Sequence, residues 1–333
     1  MTVRWLLTGA TGFIGLTLAE RLRARGVSVR ALVRPTSRVA ELGGLGVELA
    51  SGDVTDARSL EKAVEGCEVV AHLAGLTRAL GPEQYRRVNV LGTRNLAAAC
   101  LGARPRPVLV LVSSLAAAGP APDGRPRSEE DPPAPVSNYG RSKLEGENEV
   151  RALADRLEAT VVRPPIVYGP RDRELLPPLF RMARLGVMVK SGLADKRYSL
   201  LHVEDLAEGI AAAAERGRRL GRGGTEGIYF LADGEAHSWE AVARAAAGAV
   251  GARAAVVPLP EAAGWALAAG ASLWASLSRR PAMLSLDKMN EVRQLAWTCA
   301  IDRAVDQLAF RPRFPLAEGM RQSAEWFRAR GLV

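Results

Sequence analysis

Eight residues near the N-terminus, Thr8-Gly9-Ala10-Thr11-Gly12-Phe13-Ile14-Gly15, constrain this chain more than any other stretch. They follow the apolar run 3–7 and open the amphipathic run 16–25. A strand, a glycine turn and a helix in that order present backbone N–H groups and a helix N-terminus to a diphosphate. The spacing Gly9-x-x-Gly12-x-x-Gly15 gives each glycine a task. One permits the tight turn, one lets the phosphates reach the backbone, and one lets the helix pack on its strand.

The rest of the first half repeats that unit. Short apolar runs at 27–33, 47–50, 68–73, 107–112 and 159–162 read as strands. Helical patterns at 57–65, 83–99 and 139–156 alternate with them, the last capped by Ser137 or Asn138. This alternation predicts an α/β fold, a doubly wound parallel sheet of Rossmann type. The second half is less regular. Helices are expected at 175–185, 206–216, 238–250 and 316–330, and strands at 227–231 and 256–259. The expected organisation is a dinucleotide-binding domain over 1–165, rejoined around 197–216. A smaller, mainly C-terminal substrate-binding lobe and lid over 166–333 completes it.

Charge narrows the function classes. The net charge is +9, yet only five lysines occur, and the 40 arginines are scattered. No concentrated basic footprint suggests nucleic acid. The three cysteines, Cys67, Cys100 and Cys299, form no metal-ligand spacing and are odd in number. A reducing, cytoplasmic setting is expected, with no signal segment at the start and no bound metal. The uncharged run 262–278, closed by Arg279-Arg280, is at the short edge of a membrane span. It reads as a buried helix, a lid, or a surface element in peripheral contact with a membrane through 262–280.

Tyr139 and Lys143 stand four apart on an expected helix and share a face. A phenol titrates near 10, and a neighbouring ammonium favours its phenolate, which suits proton exchange with an alcohol–carbonyl pair. Ser114 ends the fifth strand, on the same carboxyl edge as the glycine turn, where open α/β sheets bind ligands. It can donate to a carbonyl oxygen; Ser113 is the alternative.

These stretches together resemble the extended short-chain dehydrogenase/reductases, the superfamily of NAD-dependent epimerases and dehydratases. The carriers are TGATGFIG at 8–15, GDVTD at 52–56, HLAG at 72–75, NVLGTRNL at 89–96, VSSLAAAG at 112–119, YGRSK at 139–143, RPPIVYGP at 163–170 and HVEDLA at 202–207. The resemblance implies catalytic roles for Ser114, Tyr139 and Lys143. It also implies a cofactor held by Gly9, Thr11, Gly12, Phe13, Ile14 and Gly15. Asp53 and Val54 would flank the adenine, Leu73 and Ala74 the ribose and phosphate path, and Pro164, Ile166 and Val167 the nicotinamide. Asn89 is expected to fix its helix rather than do chemistry.

After the second strand an acidic residue would bind a ribose 2′-hydroxyl, and an arginine a 2′-phosphate. Arg34 stands there, with no carboxylate before Glu41. NADP(H) is therefore favoured, with NAD(H) as the alternative.

Substrate class follows from departures within the family resemblance. Ile166 replaces the asparagine that sugar-nucleotide epimerases carry, and Leu115-Ala116 replaces the Asp-Glu of dehydratases. The apolar 262–277 region is similar to that of 3β-hydroxysteroid dehydrogenase and dihydroflavonol reductase-like members. An NAD(P)-dependent dehydrogenase/reductase interconverting an alcohol and a ketone or aldehyde on an apolar small molecule is expected. The alternatives are a nucleotide-sugar epimerase with tightly bound NAD, and a catalytically silent cofactor-binding regulatory or assembly protein. A homodimer through the 83–99 and 139–156 helices is one expectation; packing of those helices within one subunit is the other.

Overall fold

Six short apolar runs become strands: β1 (Arg4–Thr8), β2 (Ser28–Val33), β3 (Glu48–Ser51), β4 (Val69–His72), β5 (Val108–Val112) and β6 (Ala159–Arg163). The second half adds β7 (Ile166–Tyr168), β8 (Val187–Ser191), β9 (Arg197–Tyr198), β10 (Leu200–His202), β11 (Ile228–Phe230), β12 (His237–Ser238), β13 (Ala255–Leu259) and β14 (Ala296–Trp297). The computed structural model describes residues 4–122 and 124–333; Val3, the expected start of the first strand, and Asp123 in the loop 119–136 lie outside them.

The main sheet runs β11-β6-β5-β4-β1-β2-β3, and every pairing in it is parallel. Order reverses between β1 and β4, so the crevice beyond their carboxyl ends is the place for a ligand. Both faces of the sheet are buried, which explains the near-continuous apolar runs. Trp5 and Leu7 face one core with Leu18, Val110 and Ile210. Leu6 faces the other with Leu96, Leu109 and Val161. The Val203–Arg216 helix lies in the first of these cores, and β11 adds a seventh strand beyond the expected return at 197–216. A third core, built on Tyr168, Phe180, Met188, Val242 and Met320, fills the smaller lobe.

Among the differences from the sequence expectation, two concern elements beside the site. The helix expected over 83–99 is three pieces: an α-turn at Pro82–Tyr85, a π-helical stretch at Arg86–Leu91, and an α-helix at Gly92–Gly102. A π-turn inserts one residue and re-aims a side chain, and here that side chain is Asn89. Its amide donates to the Leu76 carbonyl at 3.0 Å and to Ser142 Oγ at 2.9 Å, and its Oδ1 accepts from Leu76 N at 2.8 Å. Asn89 thus fastens the loop after β4 to the Asn138–Arg151 helix. The two helices meet inside the subunit, where a Cβ on Gly146 would come 2.5 Å from the Asn89 carbonyl oxygen. The second difference is a parallel ribbon of β8 and β13, of which the β8 half carries no clear period-2 signal.

A directed hydrogen-bond chain ties the glycine turn to that π-stretch. Ala74 N–H donates to Thr8 Oγ1 at 3.1 Å, and Thr8 Oγ1 meets His72 Nδ1 at 2.7 Å. His72 Nε2 meets Thr93 Oγ1 at 2.9 Å, and Thr93 donates to the Asn89 carbonyl at 2.8 Å. Every donor is used if His72 is neutral with its proton on Nε2. Burial, with the Lys143 charge nearby, pushes its pKa down to about 3.

Candidate active site

The glycine turn has the shape its spacing predicts. Gly9 adopts φ +71°, and a Cβ there would lie 2.8 Å from Leu73 C and Ala74 N. A Cβ on Gly15 would lie 2.3 Å from the Gly9 carbonyl oxygen, so strand turn and helix are in contact. Gly12 is exposed and meets only that same oxygen, leaving space above it. It is also the N-cap of the Phe13–Ala24 helix, which has no side-chain cap and no acidic residue in its first turn. The free N–H groups and positive end of such a helix suit a diphosphate. The residues present therefore fit a dinucleotide.

Arg34 lies exposed at the end of β2, in a turn closed by Ser37 N–H to the Arg34 carbonyl at 2.9 Å. Among the described residues no carboxylate lies within ion-pair distance of it. Glu41, the next acidic residue, is turned to Arg171 at 3.4 Å and Arg173 at 3.7 Å. Asp53 sits beside the β2 end. Burial works against its ionisation, but two hydrogen bonds from Thr55 and the charge of Arg34 hold its carboxyl below the usual range. Val54 is buried, with its carbonyl held by Asn95 at 3.1 Å. Pro164 accepts from Leu115 N–H at 2.8 Å, and Val167 pairs with Leu201 in the β7–β10 ribbon.

Ser114 and Tyr139 come together on a cavity of about 540 Å3. Ser114 caps the short Leu115–Ala118 helix, accepting from Ala116 N–H at 3.1 Å, and its hydroxyl stands by the Tyr139 phenol, whose pKa it draws down against burial. The approach depends on Gly140, where a Cβ would stand 2.3 Å from the Ala116 carbonyl oxygen. Ser113 is not the alternative. It is buried and donates to Glu147 Oε1, away from the cavity.

Lys143 departs from expectation in one respect. Its Nζ donates to the Val112 carbonyl at 2.8 Å, and burial brings its pKa down to about 8, against the pull of Glu147. The Tyr139 phenol is pushed up, first by burial, then by Glu291, Tyr85 and Glu174, with the neighbouring Ser114 hydroxyl opposing. At neutral pH Tyr139 is a protonated phenol, a donor rather than a phenolate. The ammonium is spent on the strand's carbonyl instead.

Much of the cavity wall escapes the sequence reading. Ile166 was expected there, but Tyr85, Tyr198, Trp239 and Trp297 line it too. With Tyr139, these are five of the chain's eleven tyrosines and tryptophans. In a chain so poor in aromatics, their positions are the signal that could have located the wall. The expected apolar lid is also relocated. The Glu261–Ser278 helix contributes nothing to the cavity, whose cover is 282–292, with Met283, Asp287 and Glu291. That cover is gripped at both ends. Asn138 N–H donates to both Asp287 oxygens at 3.0 Å, and Ser137, which caps the Tyr139 helix, donates to Glu291 at 2.5 Å. Trp297 Nε1 donates to the Glu291 carbonyl at 2.9 Å, and Lys196 Nζ donates to that of Val292.

A parallel sheet with an open glycine turn, a serine–tyrosine pair and an adjoining cavity defines a dinucleotide-dependent oxidoreductase. A family model described as NAD dependent epimerase/dehydratase family matches residues 5–228. The chain belongs to that family, within the extended short-chain dehydrogenase/reductases, and its cofactor is NAD(P). It is similar to the ceramide reductase of Caulobacter vibrioides, at 33% identity over 327 residues, covering 98% of this chain and 94% of that one. It is similar also to the 4-hydroxy-2-methyl-3-oxo-4-farnesyl-3,4-dihydroquinoline-1-oxide ketoreductase of Stigmatella aurantiaca, at 34% over 297 residues and 84% of each chain. Among solved structures, the Thermus thermophilus UDP-glucose 4-epimerase in complex with NAD superposes with a TM-score of 0.75 at 26% identity, covering 98% of this chain and 99% of that one.

Proposed function

We propose that this protein reduces a ketone on a long, apolar small molecule, using NADPH. The observation that carries the reading is the pairing of Ser114 and Tyr139 on a cavity walled mainly by aliphatic and aromatic side chains. Both relatives described above are named as reductases of molecules with long apolar parts.

The turn from Gly9 to Gly15, with Thr11, Phe13 and Ile14, would hold the diphosphate. Arg34, Asp53, Val54, Leu73 and Ala74 would hold the adenosine half. Lys143, Pro164, Ile166 and Val167 would hold the nicotinamide riboside. The cofactor, when bound, supplies the hydride that forms the new C–H bond. Ser114 donates to the substrate carbonyl oxygen and fixes its place. Tyr139 transfers its phenolic proton to that oxygen as the C=O π bond breaks, giving the alcohol, and regains a proton from solvent. The cavity wall excludes water and selects apolar chains by area.

Ketones of increasing alkyl length should show kcat/KM rising about fourfold per buried methylene until the cavity is full. NADPH should be consumed one for one. Interconversion of a UDP-sugar without net cofactor consumption, or a flat dependence on chain length, would overturn the reading.

Arg34 decides between the two cofactors. Replacing it with alanine should raise the KM for NADPH by about ten- to a hundredfold, the worth of a charge-assisted hydrogen bond. The KM for NADH should stay within about a factor of three by the same reasoning, since no 2′-phosphate is present. Equal preference for the two cofactors in both proteins would reject the assignment.

A further inference from the structure

The Glu261–Ser278 helix is an unusual surface element. Between residues 262 and 286 the only charged side chains are Arg279 and Arg280. Its inner stripe is small, with Gly264, Ala268 and Ala275 buried, and it docks on the Leu286–Val292 helix where a Cβ on Gly264 would meet Met289 Cε at 3.2 Å. Its outer side carries Leu267, Leu273, Trp274 and Leu277, each 58–73% exposed. A water-facing helix normally carries charge there, and a contiguous exposed apolar patch marks an interaction surface.

The patch continues at both ends. Leu193, 82% exposed, precedes it in space, since Gly192 stands against Glu261. Met283 and Leu286 follow it, and Met283 is both half exposed and part of the cavity wall. The apolar surface therefore runs to the mouth of the active-site cavity. No helix among the described residues is long and apolar enough to cross a membrane.

We propose that this face seats the protein on an anionic lipid bilayer, with Trp274 and Leu277 in the acyl–headgroup boundary and Arg279-Arg280 on the phosphates. The apolar substrate then enters the cavity past Met283 directly from the membrane. Charge selects this occupant. Between Glu261 and Asp287 the segment is purely cationic, and the whole chain carries +9, both complementary to an anionic surface. A second copy docked on the same face would bring a second Arg279-Arg280 pair against the first. The entry route rests on the apolar-ketone reading; the docking itself does not.

The test uses the full chain with vesicles of phosphatidylcholine, with and without phosphatidylglycerol. The wild type should co-sediment with the anionic vesicles and release at high salt. Trp274→Glu with Leu277→Glu should weaken partition about a hundredfold, and Arg279→Glu with Arg280→Glu about thirtyfold. Both variants should turn over a water-soluble short ketone with NADPH as the wild type does, which shows that they fold. A chain that stays in the supernatant with both vesicle types overturns the proposal. So do variants that partition like the wild type, or a dimer in light scattering that the Trp274/Leu277 variant dissociates. Vesicle binding without ketone turnover by any of the proteins would instead sink the functional reading and leave the docking in place.

Discussion

Tyr139→Phe should lower kcat for ketone reduction by about a hundred- to ten-thousandfold, the span that a positioned general acid contributes. NADPH affinity should change little, because the ring and its packing remain. The structure gives the prediction a pH signature. Burial, Glu291, Tyr85 and Glu174 all favour the neutral phenol, so Tyr139 stays a proton donor across the neutral range. Lys143 is the group that titrates, near 8. Below that pH its ammonium is intact; above it the charge is lost. Wild-type reduction should therefore hold steady to about pH 8 and fall above it, and Lys143→Met should lower activity and erase that limb. Stopped-flow traces of NADPH oxidation across pH 6–10, with cofactor binding followed by fluorescence, check all three proteins. Near-normal turnover in Tyr139→Phe would remove Tyr139 from the role of acid.

The Tyr139–Lys143 pair shows how far local reasoning reaches. Four-residue spacing on a helix places both side chains on one face, and a Gly-x-x-Gly-x-x-Gly turn after an apolar strand has few other uses. Such signals are local, so the parallel, doubly wound sheet and the carboxyl edge shared by the glycine turn and Ser114 were legible. The direction in which Lys143 points was not, because it depends on the carbonyl of Val112, 31 residues away. The break in the helix at Asn89 was hidden for the same reason. Its cause is the loop at Leu76 and the side chain of Ser142, not the propensity of its own residues.

The cavity cover makes the point at longer range. Ser137 reads from sequence as a helix cap, and it is one, accepting from Gly140 N–H at 3.0 Å. Its hydroxyl also donates to Glu291, 154 residues on, and Asp287 accepts the first free N–H of the same helix. A carboxylate at a helix N-terminus is stabilised by the end charge. The helix that carries Tyr139 therefore holds the substrate cover shut by the same terminus that needs a cap. The apolar run 262–277 misled because hydrophobicity says that a face is hidden from water without saying by what. In the folded subunit neither cavity nor core hides it.

Glu147→Ala should destabilise the protein by about 3–5 kcal/mol, the usual result of breaking one side of a buried ion pair. Glu147 and Arg163 are each 2% exposed and joined by two bonds, at 2.9 and 2.5 Å, while Ser113 donates to the same carboxylate. Burial alone would lower the proton affinity of Arg163; the charge and hydrogen bond of Glu147, with the charge of Glu129, together more than reverse that. The alanine variant leaves the guanidinium buried without this partner. Glu129, the other carboxylate near it, is engaged by Phe230 N–H at 2.9 Å. Replacing both Glu147 and Arg163 by leucine should recover most of the loss, since no unpaired charge is then buried. Urea unfolding of the wild type, the two single leucine variants and the double leucine variant gives the coupling between the two side chains. The same carboxylate has a second effect. It stands one helical turn beyond Lys143 and pulls that pKa up, against burial. Its removal should move the upper limb of the pH–rate profile below pH 8 in the single and double variants alike. Stability then returns with the leucine pair while the pH limb does not, so the structural and electrostatic roles of Glu147 separate in one set of proteins. A double variant with the wild-type pH limb would show that Glu147 acts only by holding its helix to β5 and β6.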